Sequence, residues 1–233
     1  MARRAKKAVQ KKRGGKGRSH LDAQLTFGYK RREGHRVGRP RKDDSGVSHL
    51  KRDALASRYP VHVVMKVRKG LPSLRTKKPY KALRRAFMAG CDRNGFRLNH
   101  YSVQGNHLHF IVEAKDRTAI SRGLQGLSVR IARALNKVWG RKGGVFADRY
   151  FDRILRTPRE VRNALQYVLK NGDHHQYLPE GGPDIFSSGM YFDGWREVRL
   201  DEFIVDDPPP LAPARTWLQR VGWRRHGLLS LQP

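Results

Sequence analysis

The chain is poor in three things. It has a single cysteine, Cys91, in 233 residues, so no internal disulfide can form, which fits a reducing compartment. It has no run of about 18 apolar residues, so nothing in it reads as a bilayer-spanning helix. The opening stretch MARRAKKAVQKKRGGKGRSH is basic but lacks the apolar segment of a secretory signal. These features lead us to expect a protein that stays in the cytoplasm. Acidic residues are the third shortage: 20 Asp and Glu face 50 Lys and Arg, a formal net charge of +30 and a pI near 11.2. Such an excess repels itself on a folded surface unless a polyanion neutralises it. No basic amphipathic helix dominates, so nucleic acid is the expected partner rather than a membrane surface.

The charge is not confined to one segment. Residues 1–50 hold 16 Lys or Arg and 4 acids, with many glycines and little apolar periodicity, the composition of a solvated basic arm that cannot bury a core. Within the arm, GRPRK places Arg39 and Arg41 either as a minor-groove hook for A·T-rich DNA or as part of a general phosphate-binding tail. Between residues 55 and 180 there are 26 Lys or Arg and 8 acids, so a net +18 belongs to the expected globular part itself.

The texture changes near Leu55. VHVVMKV (61–67) is a β-branched run suited to a buried strand. Leu83, Phe87 and Cys91 recur at helical spacing, and Asn94-Gly95 is expected to stop that helix. FRLNHYSV and HLHFIVEA read as strands joined by a tight turn at Gln104-Gly105-Asn106. After Asp116 or Thr118 as cap, Ile120, Leu124, Leu127, Ile131, Leu135 and Val138 mark a long amphipathic helix ended by Gly140. Residues 144–155 read as extended. TPREVRNALQYVLKNG opens with a Thr cap and a first-turn Pro and closes at Gly172. The order β-α-β-β-α-β-α predicts an α+β, ferredoxin-like split βαβ antiparallel sheet with helices on one face. The organisation expected is a largely disordered arm (1–54), a core domain (55–178) and an irregular C-terminal extension (179–233) docking on the core. In that extension Trp217, Leu218 and Val221 are expected to dock while Arg220, Arg224 and Arg225 face outward, a reading preferred over a separate DNA-reading module.

The chemistry concentrates in two places. In a strand, residues i and i+2 share a face, so His107 and His109 stand side by side, able to reach one metal ion or merely to bond their neighbours, while Leu108, Phe110 and Val112 point into the core. On the last helix Asn163, Tyr167 and Asn171 fall four residues apart on one flank. Tyr150, between Arg149 and Arg153, is the competing tyrosine; His62, on the first strand, is expected near the pair and is assigned no role; His174 and His175 follow the last helix and read as a solvated helix end rather than as metal ligands. Arg149, Arg153 and Arg156 are the core's candidate DNA contacts.

Taken together, HYSVQGNHLHFIVEA, a long helix, and ALQYVLKNGDHH resemble the single-tyrosine IS200-type transposases, more closely their bacterial REP-associated relatives, within the HUH endonuclease superfamily. The resemblance spans about residues 55–178. It implies that His107, His109 and Asn171 ligate Mg²⁺ or Mn²⁺. It also implies that Tyr167 cuts single-stranded or hairpin DNA, leaving a 5′-phosphotyrosyl enzyme and a free 3′-hydroxyl. The insertion-sequence transposases usually carry glutamine four residues after the tyrosine, whereas the REP-associated relatives carry asparagine, as here. A nucleoid-associated bacterial enzyme is therefore expected. The alternatives are a hairpin-binding protein on the same fold that does not cleave, and an RNA-binding protein that uses only the charge.

Overall fold

The computed structural model describes residues 52–170, 182–197 and 208–232. Arg39, Arg41, Asn171, Gly172, His174 and His175 lie outside the described residues. Nine elements matter here: β1 (Val61–Lys66), α1 (Lys77–Met88), β2 (Asp92–Arg93), β3 (Phe96–Val103), β4 (His107–Ala114), α2 (Arg117–Val138), β5 (Phe151–Ile154), α3 (Pro158–Leu169) and the single turn α4 (Trp217–Arg220). The five strands form one antiparallel sheet in the order β2-β3-β4-β1-β5. The α+β split sheet expected from the sequence is therefore the fold. The consecutive hairpin β3-β4 is followed by α2, which carries the chain across the sheet to the far edge at β5.

Alternation in the strands sorts side chains onto two faces. Val61, Val63 and Met65 of β1 join Leu108, Phe110 and Val112 of β4 in a core closed by Leu83 and Phe87 of α1 and by Ile120, Leu124, Leu127, Ile131 and Leu135 of α2. The helical stripe read from the sequence is this buried face. Asp116 caps α2, its Oδ1 accepting from Ala119 N at 2.7 Å, which satisfies one of the donors a helix start leaves open.

The opposite face is covered as well, an addition to the expectation of helices on one side. Ile111 of β4 packs with Val161, Ala164, Leu165, Val168 and Leu169 of α3 and with Phe192, Trp195, Leu218, Trp223 and Leu229. The physical reason lies in β4, whose eight residues are all buried. A strand buried on both faces needs a layer on each, and α3 with the C-terminal extension supplies the second.

Two local readings change. Asn94 and Gly95 do not stop α1, which ends at Met88. They have φ of 49° and 80° and form the two-residue turn between β2 and β3, the left-handed pair such hairpins favour. In the extension Leu218 docks, but Trp217 and Val221 remain 48% and 50% exposed; α4 is too short to turn three such residues inward together. Residues 208–232 are anchored by Leu218, Trp223 and Leu229 and also through polar groups. A bulge at Leu98/His100 leaves Asn99 outside the ladder, where its Nδ2 donates to Ala212 O and its Oδ1 accepts from Gln219 Nε2. Such irregularities re-aim a side chain, and here the re-aimed amide receives the extension.

Candidate active site

The face of β4 that bears Ile111 also bears His107, His109 and Glu113, because all four positions share parity. Across the ladder, His62 of β1 pairs with Ile111 and lies one step diagonal to His109. The two imidazoles are stacked, with centroids 5.4 Å apart and planes 17° from parallel. His62 Nε2 is 3.2 Å from His109 Nδ1. His107 meets His109 edge-on at 4.7 Å. Tyr167 of α3 meets His109 edge-on at 5.2 Å and His62 at 5.9 Å. His109 therefore sits at the centre of a cluster formed by β1, β4 and α3.

Tyr167 reaches this place because the start of α3 is fixed. Thr157 Oγ1 accepts from Glu160 N while Glu160 Oε2 accepts from Thr157 N, a capping box behind Pro158. Glu160 also takes a hydrogen bond from Arg153 of β5 at 3.0 Å, tying the helix start to the sheet edge. From there the helical repeat carries Tyr167 over the histidines, while Val161, Ala164, Leu165 and Val168 are buried. Tyr150, the competing tyrosine, packs against the core on the other face of the sheet, under the Arg52 guanidinium at 3.8 Å.

The ring environments restrict protonation. His107 Nδ1 donates to Asn106 Oδ1 at 2.7 Å, which places the ring proton on Nδ1 and the lone pair on Nε2. Burial, aided by the Arg153 charge, pushes His62 down to about 4, so it is neutral at pH 7 and has one nitrogen able to accept. Burial pushes the Tyr167 hydroxyl above the ordinary phenol range, since the anion has lost water.

Two of the donors implied for a divalent cation lie together. His107 and His109 are 3% and 0% exposed, adjacent, and on one face. His107 is already in the tautomer that ligates through Nε2. Among the described residues no three His, Cys, Asp or Glu form a group able to hold a metal. The third ligand implied by the family resemblance, Asn171, lies outside the described residues.

The candidate DNA-binding arginines of the core are not equivalent. Arg149 is exposed in the turn before β5. Arg153 is half-buried and paired with Glu160. Arg156 is exposed and lies 3.7 Å from Asp53. His62 is the residue to which the sequence reading gave no role. Its signal was parity: His62 is the second residue of a buried run, and a histidine there faces whatever the neighbouring strand presents.

Residues 56–171 match the family model described as transposase IS200 like. No curated protein matches the chain. Among solved structures, one described as the structure of a REP-associated tyrosine transposase bound to a REP hairpin is similar at 18% identity and a TM-score of 0.49, covering 61% of this chain and 82% of that one. A crystal structure of a putative transposase from Deinococcus radiodurans R1 is similar at 14% identity and a TM-score of 0.36, covering 58% of this chain and 100% of that one.

Proposed function

Over residues 56–171 the chain belongs to the IS200-like transposase family, and from that premise we propose that it cuts and rejoins single-stranded or hairpin DNA, with Tyr167 as nucleophile and a divalent ion held by His107, His109 and Asn171. The observation that carries the reading is the approach of Tyr167 to His109, ring edge to ring face at 5.2 Å, across two elements distant in sequence.

The phenol oxygen of Tyr167 attacks phosphorus, a P–O bond to tyrosine forms, and the P–O3′ bond breaks. The proton lost by the phenol is balanced by the one taken up by the departing 3′-oxygen. The phosphate then remains esterified to the enzyme through its 5′ strand. Attack by another 3′-hydroxyl reverses the bond exchange and restores Tyr167, so joining needs no external energy source. Because burial disfavours the phenolate, the site must offset the charge that develops on the tyrosine and phosphate oxygens. A bound Mg²⁺ or Mn²⁺ supplies Lewis acidity and neutralises that charge.

The chain's own residues set the geometry. Asn106 orients the His107 ring. His62 Nε2 lies 3.2 Å from His109 Nδ1; with the proton on His109 Nδ1, His62 accepts it and the His109 Nε2 lone pair is left for a metal, the role a partner hydrogen bond commonly plays for a ligating histidine. Arg149, Arg153 and Arg156, with Arg39 and Arg41 of the arm, are proposed phosphate contacts.

The test is incubation with end-labelled hairpin DNA carrying a single-stranded flank, in Mn²⁺ and in EDTA, followed by denaturing electrophoresis. A covalent adduct that requires the metal and is lost in Tyr167→Phe is the expected result. Hairpin binding with no adduct under any metal condition favours the non-cleaving alternative. Full cleavage in excess EDTA, with no metal by elemental analysis, returns the histidines to a packing role.

A further inference from the structure

The C-terminal extension lies outside the family match, which ends at residue 171, yet it is built firmly onto the catalytic layer. Glu113 is fully buried on the histidine face of β4, and its carboxylate accepts from Arg215 N and Thr216 N at 2.8 Å each and from Gln219 Nε2 at 3.1 Å. Trp223 is 1% exposed, donates its indole N–H to Gln219 O and packs against Phe192. Arg162 of α3 donates to Gly227 O and Leu228 O. The segment is thus fastened both to β4 and to the helix that carries Tyr167.

What this base presents outward is unusual for a docked tail. Residues 208–232 contain Arg215, Arg220, Arg224 and Arg225 and no acid. Trp217 and Val221 stand 48% and 50% exposed among them. The Trp217 ring rests on Gly222, where a Cβ would fall 2.7 Å from the ring; only glycine admits that approach. The Arg225 guanidinium lies 4.8 Å from the ring centroid. The indole is therefore packed on Gly222 and lies under the exposed Arg225 guanidinium, which an incoming base would displace or sandwich, and about half of the residue's surface stays open.

An exposed indole set among arginines, on a chain of net charge +30, has the two parts of a single-strand site: a π face for a base and cations for the adjoining phosphates. We propose that Trp217, with Arg220 and Arg225, is a stacking platform for an unpaired nucleotide of the DNA the enzyme acts on. The inference rests on the proposed DNA-cutting function and adds a specific contact to it. A second copy of the chain is disfavoured as occupant, because two such patches would bring arginines against arginines.

The experiment uses the full chain and a fluorescently labelled hairpin with a single-stranded flank, compared with the same hairpin blunt-ended. Trp217→Ala is expected to weaken binding of the flanked hairpin about tenfold, to leave the blunt hairpin within twofold, and to leave the melting temperature unchanged. Trp217→Phe, which keeps a π face, is expected to restore most of the affinity. Arg225→Ala is expected to reduce the salt slope of binding by about one. Unchanged flanked-hairpin affinity in Trp217→Ala, with adduct formation intact in the parent protein, overturns the platform while leaving the proposed function standing. A parent protein that binds no DNA overturns both. A dimer that dissociates on Trp217→Ala, with DNA affinity unchanged, assigns the patch to self-association and overturns the platform.

Discussion

His62 Nε2 and His109 Nδ1 lie 3.2 Å apart on adjacent strands with their rings stacked, and this contact links a residue of the first strand to the centre of the proposed metal site. Removing it leaves the His109 ring without the group that selects its tautomer. His62→Ala is expected to lower Mn²⁺ affinity by roughly 10- to 100-fold, read directly by Mn²⁺ paramagnetic resonance titration without DNA. His62→Gln, whose amide oxygen accepts the same proton, is expected to recover part of that loss. Equal Mn²⁺ affinity in the parent and His62→Ala proteins removes the positioning role.

Tyr167→Phe deletes one oxygen and little packing. Adduct formation is expected to disappear while hairpin affinity stays within about threefold, roughly 0.7 kcal/mol. Tyr150→Phe is expected to keep its adduct, since Tyr150 packs on the other face of the sheet. In the parent protein, cleavage is expected to accelerate from pH 7 to pH 9, because burial holds the phenol above its ordinary range and each step upward in pH enlarges the reactive fraction. An adduct that survives in Tyr167→Phe and vanishes in Tyr150→Phe reverses the assignment.

Much of this is legible in the periodicity of the sequence: the buried faces of β1 and β4, the stripe of α2, and the capped start of α3 all follow from local rules. Registers do not. That His62 is a neighbour of His109 depends on β1 pairing with β4 so that His62 opposes Ile111, a long-range choice that neither strand encodes alone. Asn94-Gly95 misled for a related reason. Its left-handed preference is local, but whether it ends a helix or turns a hairpin depends on whether Asp92 and Arg93 find Arg97 and Phe96 as partners. The docking of the extension through Leu218 is expected from the sequence, but its polar anchoring is not, because that depends on single groups, Asn99 and Glu113, that show no periodicity.

Glu113 supports the extension by accepting two backbone N–H groups and one side-chain amide while paired with Arg97 at 2.9 Å. Glu113→Ala leaves those donors and a largely buried guanidinium uncompensated, a loss of about 3–5 kcal/mol for breaking a buried pair. The expected result is a lower melting temperature together with rapid proteolytic removal of residues 208–232. Glu113→Gln, which still accepts, is expected to lie between the two. A protease-resistant extension in Glu113→Ala places the anchor elsewhere.

Stability should depend on two buried imidazoles. His62 and His100 are both pushed down to about 4, chiefly by burial; the Arg153 charge adds to the effect at His62, while Asp193 and Glu113 oppose it at His100. In the unfolded chain both titrate near 6.5. Between those values the unfolded state binds more protons than the folded one, so stability is complete above about pH 6.5 and declines as pH falls toward 4. Each group accounts for at most about 3 kcal/mol over that interval. Melting temperatures recorded without metal from pH 8 to pH 4 are expected to be flat at the upper end and to fall below pH 6.5. His100 opposes Ile111 from β3 and contacts Ser188 and Phe192, so His100→Asn tests the linkage while leaving the proposed ligands in place: it should shrink the acid-side drop by about half of the two-histidine contribution. A melting temperature that holds level from pH 6.5 to 4.5, or a His100→Asn profile parallel to the parent, excludes these imidazoles as the cause.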